Sequence, residues 1–137
     1  MNTQKNVLNH WVNFSKYHNR ISNSLDHILQ ERYQLGLKEF YLMMFLYESE
    51  EKKLRLSKLP QMVDLSLSAV SRLVSRLEKH KFKAVKRVTF EEDKRGFYVE
   101  LTSEGENHIV KIIEEVNQIL SESMSEKDIN NIRLFTD

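Results

Sequence analysis

Large side chains recur at alternating intervals of four and three residues near the start of the chain. The series consists of Val7, Trp11, Phe14, His18, Ile21, Leu25 and Ile28. This heptad spacing predicts one long helix over about residues 5–33, with the series on a single face. The series would extend for about 33 Å along such a helix. Because one helix cannot cover that stripe by itself, we expect it to pack against other helices.

The scarcity of turn-forming residues extends this prediction to the rest of the chain. Three Gly and one Pro among 137 residues favour a mainly helical fold.

The absence of Cys excludes a disulfide scaffold, a thiolate nucleophile and a Cys-based zinc site. The longest apolar run, residues 40–47, is far shorter than the ~20 residues that cross a bilayer, and the polar start MNTQKN does not resemble a signal peptide. We therefore expect a cytoplasmic protein with a single domain over residues 1–137 and no membrane contact.

Three more helices and a hairpin are predicted after the first helix. The helices lie at about residues 38–47, 58–64 and 67–80. We expect Gly36 to end the first helix, and Ser57 and Ser66 to cap the third and the fourth. The β-prone segments at residues 84–90 and 97–101, which flank EEDKRG, predict a two-stranded hairpin.

Two C-terminal helices complete the predicted order of elements. Thr102 caps a long helix with an apolar stripe, and Ser125 opens a Ser-x-x-Asp capping box before a short last helix. In the fourth helix, the buried face is expected to consist of Leu67, Val70, Leu73, Val74 and Leu77. The predicted fold class is thus mainly α with a small β-hairpin.

Positive charge is concentrated in the middle of the chain. Residues 67–97 carry 9 basic and 4 acidic side chains, whereas residues 98–137 carry 3 basic and 9 acidic ones. A polyanion responds to the charge at its contact surface, because that charge determines how many counterions are released. The middle segment is therefore the candidate nucleic-acid surface. The alternative is an ordinary solvated face of a helix and a hairpin.

The order of short helix, turn, helix and hairpin describes a winged helix-turn-helix. Small or basic residues occupy the outward positions of the fourth helix, where they allow close approach to base edges in the major groove. These candidate DNA contacts are Ser66, Ser68, Ala69, Ser71, Arg72, Ser75 and Arg76. On the hairpin, Lys86 and Arg87 are candidate phosphate contacts, and Lys94 and Arg95 at the tip are placed to reach the minor groove.

The segment LSKLPQMVDLSLSAVSRLVSRLEKHKF, followed by EEDKRGFYVELTSEG, resembles the multiple antibiotic resistance regulator (MarR) family of bacterial transcription factors. Two family patterns, SxSAVSRLVSRLE and DKR-x5-LTSEG, occur in the family's order, and the resemblance covers about residues 35–105. It implies a homodimeric repressor that binds a palindromic operator in double-stranded DNA. In such proteins a small effector molecule often releases the DNA.

The resemblance also implies a division of labour along the chain. Residues 1–35 and 103–137 would form dimerisation helices around a DNA-binding lobe at residues 36–102. The expected dimer interface consists of Val7, Trp11, Phe14, His18, Ile21, Ile113, Val116, Leu120, Ile129 and Ile132.

Several positions carry a specific expectation from the same resemblance. Asp93 would brace the wing by pairing with an Arg of the fourth helix or of the hairpin, although a turn-forming Asp is an equal alternative. Lys38 stands where a Ser or Thr cap is usual, Asp64 replaces a Gly in the turn, and Lys81 replaces a Gly after the fourth helix. We expect Asp64 to adopt the left-handed conformation.

Other functional classes find less support in the sequence. The five His residues are not spaced three or four apart, so we predict no metal site and no cofactor. A Gly-rich phosphate loop and the motifs GxSxG and HExxH are absent, so we do not expect an enzyme. Trp11, Phe14, Tyr17 and His18 would line either an effector pocket or only the dimer interface. The alternative function is a dimeric winged-helix module that binds a protein partner and no DNA.

Overall fold

The structure is a computed structural model that describes residues 3–89 and 96–136, with side chains from residue 6 onward. The described helices are α1 (Thr3–Tyr33), α2 (Leu37–Glu48), α3 (Leu59–Val63), α4 (Leu67–Lys79), α5 (Ser103–Ser123) and α6 (Glu126–Thr136). The described strands are β1 (Lys53–Arg55), β2 (Val85–Thr89) and β3 (Phe97–Leu101). The predicted class, mainly α with a small β component, is confirmed.

The chain forms two compact units. The helical unit contains α1, the loop up to Leu37 and the chain from Val116 onward. The winged unit, Lys38–Glu115, contains the three strands together with α3 and α4. In the described part of the chain, no helix has both the length and the apolar character that a membrane span requires.

Helix α1 ends at Tyr33, as predicted, but the residue that reverses the chain after it is Gln34 and not Gly36. Gln34, with φ of 53°, has the left-handed conformation expected of Gly36, and no described Gly has a positive φ. The Gln34 amide donates a hydrogen bond to the Gln30 carbonyl at 3.0 Å, and the Leu35 amide donates to the Leu29 carbonyl at 3.3 Å. The chain therefore turns two residues earlier than expected, and Leu35 is fully buried.

A side chain of α1 caps helix α2. Asp26 Oδ1 accepts a hydrogen bond from the Leu37 amide at 2.9 Å, so the helix start is satisfied although Lys38 cannot cap it. The Lys38 ammonium donates to the Val63 carbonyl, 2.7 Å away, at the end of α3. Lys38 thus connects α2 to the helix-turn-helix instead of serving as a cap.

The sheet contains one strand more than predicted. Its order is β1-β3-β2, so the predicted hairpin corresponds to β2 and β3. Both pairings are antiparallel, and Val99 of β3 lies between Leu54 of β1 and Arg87 of β2. Strand β1 has three residues, too few to show the alternation that identifies a strand in a sequence. Phe90, the last residue of the predicted first strand, lies outside the described residues.

The helix after β1 begins later than predicted, and Ser57 does not cap it. Ser57 lies within a 3₁₀ turn, Leu56–Lys58, and α3 follows without a side-chain cap. The Leu59 amide already donates to the Leu56 carbonyl in that turn, so a Ser cap has no amide left to serve there. Pro60 occupies the first turn of α3, where its missing N–H costs no hydrogen bond.

The two C-terminal caps are confirmed. The Thr102 hydroxyl accepts a hydrogen bond from the Gly105 amide at 2.9 Å and donates one to the Lys83 carbonyl at 2.8 Å. The Ser125 hydroxyl accepts a hydrogen bond from the Asp128 amide at 3.1 Å. Thr102 therefore both starts α5 and ties it to the segment that precedes β2.

Candidate nucleic-acid interface

Helix α4 is anchored by three buried apolar side chains and carries polar side chains on its exposed face. Val70, Val74 and Leu77 are fully buried. The Ser66 hydroxyl caps the helix by accepting a hydrogen bond from the Ala69 amide at 3.2 Å. Ser66, Ser68, Arg72 and Arg76 are exposed, and Ala69, Ser71 and Ser75 are partly exposed. The structure thus places all seven predicted α4 contacts at or near the surface of the helix.

Two residues of the predicted buried face of α4 are not fully buried: Leu73 is partly exposed, and the clear exception is Leu67. Its side chain is 53% exposed, so the expectation that it is buried is wrong. It is the first residue of the helix, and the buried stripe starts only at Val70, almost one turn later. An exposed apolar side chain beside Ser68 can contact the methyl group of thymine. Leu67 is therefore a candidate contact that the sequence pattern assigned to the core.

Asp64 forms the turn between α3 and α4. Its φ of 57° and ψ of 55° place it in the left-handed region, as predicted from its position in the motif. The following Leu65 amide donates to the Pro60 carbonyl at 3.1 Å. The turn therefore has a defined hydrogen bond although it lacks Gly.

The end of α4 accommodates Lys81 through its neighbours. Lys83, with φ of 45°, takes the left-handed conformation after the helix. The His80 Nδ1 atom accepts a hydrogen bond from the Phe82 amide at 3.2 Å, and the Phe82 ring stacks on the His108 ring with centroids 3.7 Å apart. These contacts fix the connection from α4 to β2 without a Gly.

Arg76 forms an ion pair with a buried carboxylate. Its Nη2 atom donates to Oε1 of Glu39 in α2 at 2.8 Å. Glu39 is 3% exposed, whereas the Arg76 side chain is 62% exposed. The sequence analysis did not single out Glu39, because nothing in its local pattern indicates a contact with a residue 37 positions away.

Arg87 connects the hairpin to α4. Its Nη2 atom donates to the Ser75 hydroxyl at 2.9 Å, and its Nε atom lies 3.0 Å from Oε1 of Glu78. Its guanidinium also lies over the Phe97 ring, 4.9 Å from the centroid. Arg87, which is a predicted phosphate contact, is therefore also held by residues of α4 and β3.

The outer face of the sheet carries basic side chains on both sides of an acidic one. Glu100 of β3 pairs in register with Lys53 of β1 and with Lys86 of β2, and Lys86 Nζ lies 3.8 Å from Oε2 of Glu100. A hydrogen bond with Glu51, together with nearby carboxylates, raises the pKa of Lys53 against the opposing effect of burial. Lys53 is therefore charged at neutral pH.

Strand β1 adds basic residues to this face that the sequence analysis did not assign. Lys53 Nζ lies 4.7 Å, and Arg55 Cζ 5.8 Å, from the centroid of the Tyr98 ring. These residues can be assigned to the sheet only when the position of β1 is known, and the sequence pattern did not reveal that strand. The predicted tip residues Asp93, Lys94 and Arg95 lie outside the described residues.

The helical unit has exposed apolar side chains on α1 and α6. Val7 and Trp11 are 62% and 64% exposed, Phe14 and His18 are also exposed, and Phe135 is 67% exposed. The other residues of the predicted dimer interface are partly exposed, except that Val116 is buried within one chain. The partly exposed ones are Ile21, Ile113, Leu120, Ile129 and Ile132.

A cavity of about 230 Å³ opens on this unit. Its lining consists of Phe14, Tyr17, Asp128, Asn131, Ile132 and Phe135. The Tyr17 hydroxyl donates to Oδ2 of Asp128 at 3.0 Å, and desolvation, followed by this hydrogen bond, raises the pKa of Tyr17. Two of the lining residues, Phe14 and Ile132, belong to the predicted dimer interface. Among the described residues, His, Asp and Glu form no group of three that could hold a metal ion.

The helix-turn-helix, the exposed polar edge of α4 and the attached hairpin together define a winged helix-turn-helix protein. The chain belongs to the transcriptional regulator SarA/Rot family, whose family model matches residues 24–112. No curated protein matches the sequence.

Solved structures share this fold over most of the chain. The MarR family transcriptional regulator Sco3205 from Streptomyces coelicolor, in complex with DNA, has a TM-score of 0.84 and 21% identity over 98% of this chain and 84% of that chain. AbsC, a MarR family transcriptional regulator from the same organism, has a TM-score of 0.79 and 22% identity over 90% of this chain and 84% of that chain. MepR from S. aureus, in a DNA complex, has a TM-score of 0.70 and 19% identity over 88% of both chains. The MarR resemblance seen in the sequence is thus confirmed at the level of the fold.

Proposed function

We propose that this regulator binds double-stranded DNA as a homodimer and represses transcription from a palindromic operator. The observation that carries the proposal is the structure of α4, which buries Val70, Val74 and Leu77 completely and exposes hydroxyl and guanidinium groups on the other side. A helix fixed in this way can insert its first turns into the major groove without rearrangement. The proposal involves no catalytic step, and the protein would act in the cytoplasm.

The side chains of α4 differ in what they contribute. Ser66 is occupied as the cap, so Ser68, Ser71 and Arg72 are the proposed contacts to bases and phosphates. At the wing, Lys94 and Arg95 would enter the minor groove and Asp93 would brace the tip. Lys86 and the β1 residue Arg55 are proposed to contact phosphates, which position the protein without reading sequence.

The structures of two similar proteins in complex with DNA support this proposal. Sco3205 and the MepR of S. aureus share the fold of this chain and were solved in DNA complexes. In helix-turn-helix dimers the two recognition helices enter major grooves about 34–36 Å apart, on one side of the duplex. We propose the same arrangement for two copies of α4.

The exposed apolar side chains of the helical unit are the proposed dimer interface. Val7, Trp11 and Phe14 lie at heptad positions of α1 and leave a large apolar surface in water in a single chain. A second copy would cover it. The cavity next to Tyr17 is the proposed place for a small effector that changes the DNA affinity.

Selection of duplexes from random DNA, followed by fluorescence anisotropy, tests the proposal. We expect a two-fold-symmetric sequence to be selected. With about 6–10 phosphate contacts, its affinity should fall by about 10³–10⁵ between 50 and 200 mM salt. Arg72→Ala should weaken binding to the selected duplex by about tenfold or more, whereas Lys127→Ala on α6 should not. Failure to select any sequence would favour the protein-binding alternative.

A further inference from the structure

Glu39 is the only buried charged side chain among the described residues. It lies in the first turn of α2, and it accepts a hydrogen bond from Arg76 in the recognition helix α4 at 2.8 Å. Because 37 residues separate the two, this contact joins two different helices of the winged unit. A buried acid beside a DNA-binding helix requires a physical reason.

Stability is a weak reason for this ion pair. An ionised carboxylate in the interior is costly unless a cation or several donors satisfy it, and apolar side chains of similar volume often stabilise a protein equally well. A buried carboxylate with an exposed cationic partner can instead hold two elements in a defined geometry, as buried polar groups do in some proteins. Here the geometry concerns the position of α4 relative to α2 and the orientation of the Arg76 side chain.

The contact with Glu39 uses one Nη2 donor of Arg76 and leaves the rest of the guanidinium to other partners. Its side chain is 62% exposed, and a guanidinium carries five N–H groups in one plane. It follows Arg72 by four residues, so both side chains lie on the same side of α4. With one edge held by Glu39, the plane is already oriented when DNA arrives, and less side-chain entropy is lost on binding.

We propose that Glu39 is a positioning residue that gives α4 part of its sequence specificity by holding Arg76 in one orientation. The inference rests on the proposed function above. The Glu39 charge also lowers the positive potential around Arg76, which opposes attraction to phosphates of any sequence. Since this weakening applies to the operator and to other DNA alike, the ratio of the two affinities depends on the orientation of Arg76 and not on the charge of Glu39.

The test compares affinities for two duplexes, the sequence that the unmodified protein selects and a scrambled sequence of the same length. In Glu39→Gln, which keeps the shape but removes the charge, the ratio of specific to non-specific affinity should fall about tenfold. The non-specific affinity should stay the same or rise. Glu48→Gln is the matched control, because it makes the same chemical change at an exposed residue of the same helix, and it should preserve the ratio.

A double mutant separates positioning from a general loss of structure. If Glu39 acts through Arg76, then Glu39→Gln should lower the ratio no further in an Arg76→Gln background. An unchanged affinity ratio in Glu39→Gln overturns the inference. It is also overturned if Glu39→Gln lowers the ratio as much in the Arg76→Gln background as it does in the unmodified protein.

Arg76→Lys tests the same idea if Glu39→Gln does not fold, as judged by circular dichroism. This variant keeps the charge but lacks the planar guanidinium, so the ratio should again fall about tenfold. A ratio equal to that of the unmodified protein would overturn the inference. If the unmodified protein selects no sequence at all, the proposed function itself is wrong and the inference fails with it.

Discussion

At the scale of single residues, Gly105 shows how closely α5 approaches the segment before β2. A Cβ atom at this position would lie 2.2 Å from the Ala84 carbonyl oxygen, a backbone atom that cannot rotate away. We therefore expect Gly105→Ala to lower the free energy of unfolding by about 3 kcal/mol, because the two segments must move apart. Urea unfolding followed by circular dichroism measures this change. Ser103→Ala, at an exposed site two residues earlier, should stay within about 0.5 kcal/mol, and an equal effect of both variants would contradict the explanation.

The turns of this chain show why single residues are hard to assign from sequence. Gln34, Asp64 and Lys83 each have a positive φ, although only Asp64 is of a type that favours it. Such a conformation costs about 1–2 kcal/mol for an ordinary residue, so it is kept only where packing of the flanking elements demands it. The resemblance to a family motif identified Asp64, whereas nothing local distinguishes Gln34 from its neighbours.

At the scale of elements, the attachment of β2 to α4 determines how the wing is held. Arg87 contacts Ser75 and Glu78 of α4, while Lys86 points to the opposite face of the sheet. Arg87→Ala should therefore lower the free energy of unfolding by up to about 1 kcal/mol, since the ion pair is partly exposed, and should also weaken DNA binding. Lys86→Ala should leave stability unchanged and reduce the salt slope of binding by about one. Thermal unfolding measures the effects on stability, and anisotropy at several salt concentrations measures the effects on DNA binding. Identical behaviour of the two variants would rule out the role of Arg87 in attaching β2 to α4.

The elements themselves were predictable to different degrees. Helices α1, α4 and α5 have long apolar stripes, and α4 and α5 also have capping side chains, so their sequence patterns indicate them without tertiary information. Strand β1 exists because β3 offers it a pairing edge, and three residues carry no periodic signal. The predicted cap at Ser57 is wrong for a related reason, since the 3₁₀ turn after β1 is a consequence of where that strand ends.

At the scale of the whole molecule, the candidate site divides into a local and a non-local part. The serine-rich start of α4 is a continuous segment, so residue type and spacing predict its exposed face directly. The partners of Arg76 and Arg87 come from other elements, and their identity depends on the fold. A sequence pattern therefore shows which side chains face outward, but not which of them the protein itself holds in place.

Dimerisation is also a property of the whole molecule, and it determines whether one chain is enough to bind DNA. Trp11 is 64% exposed, and its ring centroid lies 6.0 Å from that of Phe14 on the same stripe. We expect Trp11→Glu to convert a dimer into a monomer in sedimentation experiments at micromolar concentration, because a charge in the apolar interface would be desolvated. Binding to a duplex with two half-sites should fall by about 10²-fold or more, since the second half-site no longer adds to the affinity.

Asn9→Glu adds the same charge to an exposed position on the opposite side of α1, so it should remain dimeric. A dimeric Trp11→Glu variant, or equal dissociation of both variants, would show that α1 does not form the interface through this stripe.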